Sequence, residues 1–262
     1  MLRYLRLYLS FLRFSFAKSS QFRLDFFFRI FMDIIYYVVN ISFFKAIFLH
    51  TPTLGGWTEG EMLVFVGAFI TVDALMMTFV SNNIWVLPQA ITKGELDYYL
   101  LRPVSALFFL SSRDIAVNSF LNLLMATGIL GWALWSYPLS FSLFDLAVFA
   151  VLLLNGLFLH LLLQILFILP VFWTLTGRGF HGAFWIMTRF AERPDGIFQG
   201  WIRKVITVAL PFSLIASYPT RYLVEGGPLW ILGHVALVTA GLFALVIGLW
   251  RFALRSYSSA SS

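Results

Sequence analysis

Apolar runs of roughly 20 residues recur along the whole length of this chain, each long enough to cross about 30 Å of hydrocarbon as an α-helix. The plainest cover 26–49, 60–82, 115–135, 143–173 and 229–250. Inside lipid every backbone N–H and C=O must find its partner within the protein, so only helices and closed barrels cross. Barrel strands would be shorter and would alternate apolar with polar residues. These runs do neither. The charged fraction of 11% is about half that of a soluble domain, which removes the reading of the same runs as buried core helices. The expectation is an all-α, polytopic membrane protein.

The ends of the chain set its orientation. Residues 2–17 carry Arg3, Arg6, Ser10 and Arg13 at helical spacing, with Leu5, Leu9, Leu12 and Phe16 on the other faces. One basic edge on an otherwise apolar helix suits residues 1–25 to lying in the headgroup plane, and the same spacing is compatible with packing on the bundle. These scattered arginines do not make the basic start and clean apolar block of a removable signal peptide. The basic N-terminal arm and Arg251 and Arg255 place both termini on the cytoplasmic side of the cytoplasmic membrane. Two inside termini require an even number of crossings, hence six transmembrane helices, with one between Thr174 and Pro228. Ser258–Ser262 reads as a loose tail.

That stretch reads two ways. Residues 205–218 are apolar but short and interrupted by Pro211, with Pro219 following, the character of a re-entrant element. Residues 179–190 are also short and contain Arg189. If 172–204 stays inside, nearly all Lys and Arg lie on one side, as the charge rule prefers. A crossing over about 179–198 instead puts Arg193, Arg203, Lys204 and Arg221 outside with Lys45.

Several functions are disfavoured. The absence of cysteine excludes disulfides and thiolate metal sites. The net charge of +6 is explained by orientation rather than by nucleic acid. His50, His160, His181 and His234 have no metal-ligand spacing, and no Gly-x-Ser-x-Gly elbow occurs, so a membrane enzyme has little to work with. No Gly-x-x-x-x-Gly-Lys-Ser/Thr phosphate loop is present either, so any ATP hydrolysis belongs to a partner.

Between the second and third runs stands Ile91-Thr-Lys-Gly-Glu-Leu-Asp-Tyr-Tyr-Leu-Leu-Arg-Pro103, a charged, amphipathic, helix-like insert in a chain otherwise built for lipid. Gly94 can end or bend a short helix, and Glu95 and Asp97 offer charge to another protein. An ordinary cytosolic loop is the plainer alternative.

The pattern Ile91-x-x-Gly94-x-Leu96-Asp97-x-x-Leu100-Leu101-x-Pro103 resembles the cytoplasmic coupling helix of exporter-type (type-2) ABC transporter permeases, in particular a drug- or viologen-exporter-like subfamily. Pro194-x-x-Ile197-Phe198-x-x-Trp201-Ile202-Arg203, followed by Leu210-Pro211-Phe212 and Tyr218-Pro219, resembles the segment before the last span of the same permeases. Glu192-Arg193-Pro194-Asp195 departs from the apolar residues commoner there. The resemblance covers essentially the whole chain and implies a single permease domain, 1–262, with a cytoplasmic coupling region at 83–112 and an external re-entrant region at 192–228. It favours the crossing over 179–198, the arrangement adopted here. It implies partner docking by Lys93, Gly94, Glu95, Leu96, Asp97, Leu100 and Leu101 onto two ATP-binding subunits, which supply ATP and Mg²⁺ chemistry. It also implies a second permease, identical or homologous, and outward movement of a hydrophobic or amphiphilic substrate, including a cationic one. Lipid or glycolipid export is the alternative; an ion-coupled carrier or membrane enzyme is the alternative class.

Asp33 and Asp73 are the acidic residues well inside the runs, at similar depths of roughly 10 and 14 Å from the inner ends at 1.5 Å per residue. Buried charge in lipid is costly and is usually paired or functional. The pair is a candidate substrate pathway for a cation; for Asp33, pairing with Arg29 four residues earlier is the simpler role. Asn118 with Asn122, and His160 with Gln164, fit interhelical hydrogen bonds. Trp201, Tyr218, Tyr222 and Trp230 are expected at the outer interface, where amphipathic rings are favoured.

Overall fold

The computed structural model describes residues 2–19, 23–138, 140–176 and 178–257. The side chains of Arg3, Leu5, Phe16, Arg29 and His181 lie outside the described residues, as does the tail at Ser258–Ser262. Helices α1 (Leu2–Ser19), α2 (Arg23–Phe48) and α3 (Glu59–Phe79) open the chain, and α4 (Ser81–Thr92), the single turn α5 (Asp97–Leu100) and α6 (Ala106–Ser112) follow. Then come α7 (Phe120–Ser136), α8 (Leu143–Ile168), the turn α9 (Val171–Thr174), α10 (Arg178–Thr188), α11 (Gly200–Lys204), α12 (Ser217–Val224) and α13 (Leu229–Arg255). No strand occurs among the described residues beyond one isolated bridge, Leu54 to Trp57.

Among the described residues five helical stretches are long and apolar enough to cross a membrane: Ile30–Phe48, Glu59–Phe79, Val117–Ser136, Leu143–Thr174 and Leu229–Arg255. They coincide with the apolar runs of the sequence. The fourth run is interrupted at Leu169–Pro170, where Pro170 caps α9, and Leu175 (φ +51°) turns the chain back toward α10. At 11 residues α10 is too short to belong to this group.

Helix α3 is the axis of the bundle, with 72% of its apolar window buried. Its entry is fixed by the Thr58 N–H, which donates to the Glu61 carboxylate at 2.7 Å, and Glu59 and Glu61 face the positive end of the helix. Small residues then let neighbours approach. A Cβ on Gly67 would stand 2.9 Å from the Leu130 Cα of α7, and Thr71, bonded to Gly67 O at 2.7 Å, reaches Ala126 O at 3.3 Å. Close backbone approach through small residues is how helices attract one another where lipid removes the hydrophobic drive. Gly156 of α8 repeats the device: a Cβ there would strike the Ile215 carbonyl.

The bundle has two distinct ends. At the Gly55 end, Gly60 packs on the Tyr137 ring and Gly227 lies against Tyr222 and Asp145. At the Lys93 end, α4 meets α6 and α9, and α9 meets α13; Trp173 Nε1 donates to Ser256 Oγ at 3.1 Å, and Phe172 packs edge-on against Trp250 and Tyr257. The segment 195–227 begins and ends at the Gly55 end, since Gly196 touches Gly55 and Gly227 sits by Asp145. Its middle reaches inward: the Phe212 ring lies 6.2 Å from Phe184 and 6.5 Å from Phe167. Of the four rings expected at the outer interface, Tyr218 and Tyr222 are buried and Trp201 and Trp230 are exposed. The two tyrosines therefore do not face headgroups; α12 is held against α3 and α8, and that packing outweighs the ring's interfacial preference.

Candidate functional site

The insert between the second and third spans is built as a knob on a buried mount. Gly94 (φ +73°) ends α4, with its N–H donating to Ile91 O at 3.4 Å and the Leu96 N–H donating to Ala90 O at 3.1 Å. A left-handed residue after the last turn satisfies orphan carbonyls and is cheap only for glycine. The chain re-enters one turn of helix, α5, shorter than the helix-like insert expected from the sequence, because Gly94 and Pro103 bracket it. Leu96 is fully buried and Tyr99 nearly so. Lys93, Glu95, Tyr98, Leu100 and Leu101 are exposed, Leu101 at 85%, and the Arg102 guanidinium lies 4.4 Å over the Tyr98 ring. Gly94 and Asp97 are half-buried. Of the residues expected to dock a partner, Leu96 thus points into the bundle, and Tyr98 joins the exposed surface.

The mount is a set of hydrogen bonds to the connection before α7. Arg113 Nη1 donates to the Tyr99 hydroxyl at 2.9 Å. Asn83 of α4 donates to Asp114 O at 2.7 Å and accepts from the Asp114 N–H at 2.7 Å. A small cleft of about 50 Å³ lies among Asn82, Asn83, Tyr99, Arg113 and Asp114. Tyr257 lies by Asp97 of α5: burial pushes its phenol up from its ordinary pKa, and neighbouring Asp97 adds to that.

A second site lies between α2, α3 and the residues after α10. Asp73 is within electrostatic reach of Glu192 and Asp33, and Tyr36 and Tyr37 stand close to the same carboxylates. The Tyr37 hydroxyl donates to Asn122 Oδ1 of α7, an interhelical bond of the kind expected for that asparagine. Beside Glu192 is an open cleft of about 180 Å³ lined by Val39, Asn40, Phe43, Phe44, Glu192 and Arg193. The structure thus puts Asp33, and Glu192 as well, within electrostatic reach of Asp73. The only signal for Glu192 in the sequence was a charged patch where apolar residues are commoner. The Arg29 side chain, expected to pair with Asp33, lies outside the described residues. His160 is buried with its ring 5.6 Å from Phe184, and neighbouring Gln164 is buried too.

The same charged patch supplies the pin of the Gly55 end. Asp195, with no exposed surface, accepts from Arg203 Nη2 at 2.8 Å and from Arg221 Nε at 3.0 Å, while its N–H donates to Ser217 Oγ at 3.2 Å. Arg221 also reaches Glu225 at 3.3 Å and lies 5.9 Å from the Trp57 ring. One carboxylate therefore ties α11, α12 and the 195–197 turn together.

A family model described as ABC-2 family transporter protein matches residues 34–261, which takes in all but the start of the first span, the knob, and Asp73, Glu192 and Asp195 of the charged sites. The chain belongs to the ABC-2 transporter family. No curated protein and no solved structure matches it. It is a multi-pass membrane protein and a permease component of an ABC transporter, from a family whose membrane subunits are generally non-catalytic and work with an ATP-binding subunit. In this ABC-2 permease the knob on α5 and the cleft beside Glu192 are the two candidate sites.

Proposed function

We propose that this ABC-2 permease is the membrane half of an ATP-driven exporter whose ATP-binding partners dock on the α5 knob. One observation carries the reading: Tyr98, Leu100 and Leu101 stand exposed on a polar loop while Leu96 and Tyr99 anchor the same turn in the bundle. Exposed apolar residues rimmed by charge mark a protein contact, and a turn rooted in the core can transmit what it receives. Glu95 and Asp97 supply the charge that orients the partner. Replacing both by Lys is expected to leave insertion and folding intact while uncoupling ATP hydrolysis from transport; wild-type coupling in that variant removes the docking role.

In this reading the Lys93 end and both termini are cytoplasmic in the inner membrane. The sixth crossing is completed by α10 with the residues after it, and 195–227 is a re-entrant element entered from outside, consistent with its return to the Gly55 end. Cysteines at Gln199 and Glu225 test this, because the native chain has no thiol. In intact cells an impermeant maleimide is expected to label both and to miss one at Lys93. Protection of Gln199 with labelling of Glu225 would place the preceding stretch inside.

The second site supports a substrate class. Asp33 and Asp73, within electrostatic reach of the Glu192 that lines a cleft with Phe43 and Phe44, favour a hydrophobic or amphiphilic molecule carrying positive charge, moved outward. A lipid or glycolipid is the second reading, favoured by the broad exposed apolar face of α2, where Phe31, Met32, Ile35 and Val39 all stand outside. A second permease, identical or homologous, would complete the pathway along that face. Transport assays with Asp73→Asn separate the substrates: a cation exporter loses export of a lipophilic cation, whereas a glycolipid exporter keeps its export of glycolipid.

A further inference from the structure

Helix α1 has two faces, and they do two different things. Tyr4, Phe11 and Ser15 lie on one side and meet the region that carries the knob. The Ser105 N–H donates to the Tyr4 hydroxyl at 3.3 Å, and the Tyr4 ring packs edge-on to Phe108 at 4.8 Å. The Ile115 N–H donates to the Ser15 hydroxyl at 3.1 Å, and Ser15 is buried. The opposite arc, at 100° per residue, holds exposed Arg6, Ser10 and Arg13, flanked by exposed Leu9 and Phe14. Basic residues with apolar neighbours on both sides match an anionic headgroup layer better than water or an acidic protein face, which would leave Leu9 and Phe14 uncovered.

From the packed arc a continuous path of rings leads to α5. Phe11 of α1 packs edge-on against Phe109 of α6 at 5.2 Å, Phe109 packs on Tyr99 of α5 at 5.8 Å, and the Tyr99 hydroxyl accepts from Arg113. Tyr99 is the buried root of the turn that exposes Tyr98 and Leu101.

We propose that α1 binds the anionic leaflet through Arg6 and Arg13 and that the Phe11–Phe109–Tyr99 contact passes its seating to the α5 knob, making ATPase coupling depend on the charge of the surrounding lipid. The inference rests on the docking role of α5. A helix that settles deeper or tilts on an anionic surface must carry Phe11 with it, and Phe109 has Tyr99 on its other side. The lipid's binding preference for the seated helix becomes, by linkage, a preference for one position of the knob. Arg6 and Arg13 together are worth roughly thirtyfold in anionic over neutral preference.

The full-length permease with its ATP-binding partner is reconstituted in phosphatidylcholine vesicles with and without about 30 mol % phosphatidylglycerol. Transport per ATP is expected to differ about threefold between the two lipids in the wild type, and to be equal in Arg6→Gln/Arg13→Gln and in Phe109→Leu. An environment-sensitive dye on Ser10→Cys, read in the permease alone, separates sensing from transmission. Phe109→Leu is expected to keep the wild-type lipid response of the dye, and the double arginine variant to lose it. A wild type indifferent to lipid charge overturns the proposal, as does a Phe109→Leu protein that keeps the full dependence or a dye that ignores phosphatidylglycerol. If the permease never engages an ATPase, the docking reading fails separately. The lever is then read from the maleimide labelling rate of Tyr98→Cys in the permease alone, expected to differ about threefold between lipids in the wild type and not in Phe109→Leu. Equal rates in the wild type would overturn it.

Discussion

The two ends of this bundle are held by opposite means. At the Gly55 end the contacts are ones that have no room to give: a fully buried carboxylate shared by two guanidiniums, and two glycine backbones in direct contact. At the Lys93 end the parts are joined by a few hydrogen bonds and ring edges, none of them an ion pair: Asn83 to Asp114, Arg113 to Tyr99, Phe11 to Phe109. Stiff contacts hold the irregular segment 195–227, proposed to be re-entrant, where backbone groups would need partners within the protein. Compliant contacts hold the end proposed to receive a partner. The difference teaches that the same fold can be rigid at one face of a membrane and adjustable at the other without any change in helix type.

The contrast can be broken most severely at glycine. A Cβ on Gly196 would collide with the Gly55 carbonyl, and one on Gly55, whose φ is +61°, would lie 2.7 Å from Ile197 N. Gly196→Val is expected to cost more than about 4 kcal/mol, enough to prevent recovery of folded protein in detergent. Recovery with a wild-type melting temperature would mean the Gly55 end is not locked. Next in size, Asp195→Ala leaves Arg221, with 16% of its side chain exposed, without its buried partner, at an expected cost of about 3–5 kcal/mol. A thermal-shift comparison with Arg221→Met/Asp195→Leu checks the cause, since removing both charges is expected to recover most of the loss.

The Lys93 end is expected to yield less. Asn83→Ala strips the Asp114 N–H of its acceptor and is expected to cost about 1–3 kcal/mol, read as a lowered melting temperature. Tyr99→Phe removes only the acceptor for Arg113 and keeps the ring against Phe109, so about 1 kcal/mol or less is expected, with any larger effect appearing in coupling rather than in stability. A stability loss at Tyr99 as large as at Asp195 would erase the distinction between the ends.

Much of the frame was legible in the sequence, because apolar length is a direct requirement of lipid. The five spans, the glycine-ended turn at Gly94 and the interhelical role of Asn122 all followed from local pattern. The Asp195 pin did not, since its partners lie 8 and 26 residues away on short helices with no period connecting them. Glu192 escaped for the same reason: nothing in the spacing says that it comes within reach of Asp73. Tyr218 and Tyr222 misled, because the rule that places aromatic rings at the interface describes side chains facing lipid, and these face α3 and α8 instead. Composition told which stretches cross but not which side of each crossing meets protein. Helices α2 and α3 are both apolar enough to span, yet 11% of one window is buried and 72% of the other.

Val80 has a mechanical consequence. There the chain leaves α3 with φ −126° and ψ −45°, and α4 departs at once as a separate 12-residue arm. Such an arm is about 18 Å long, so a rotation of about 5° at its root sweeps its tip through roughly 1.6 Å. That distance is enough to exchange one hydrogen-bond partner for another, while the packing of α3 itself would scarcely register the turn.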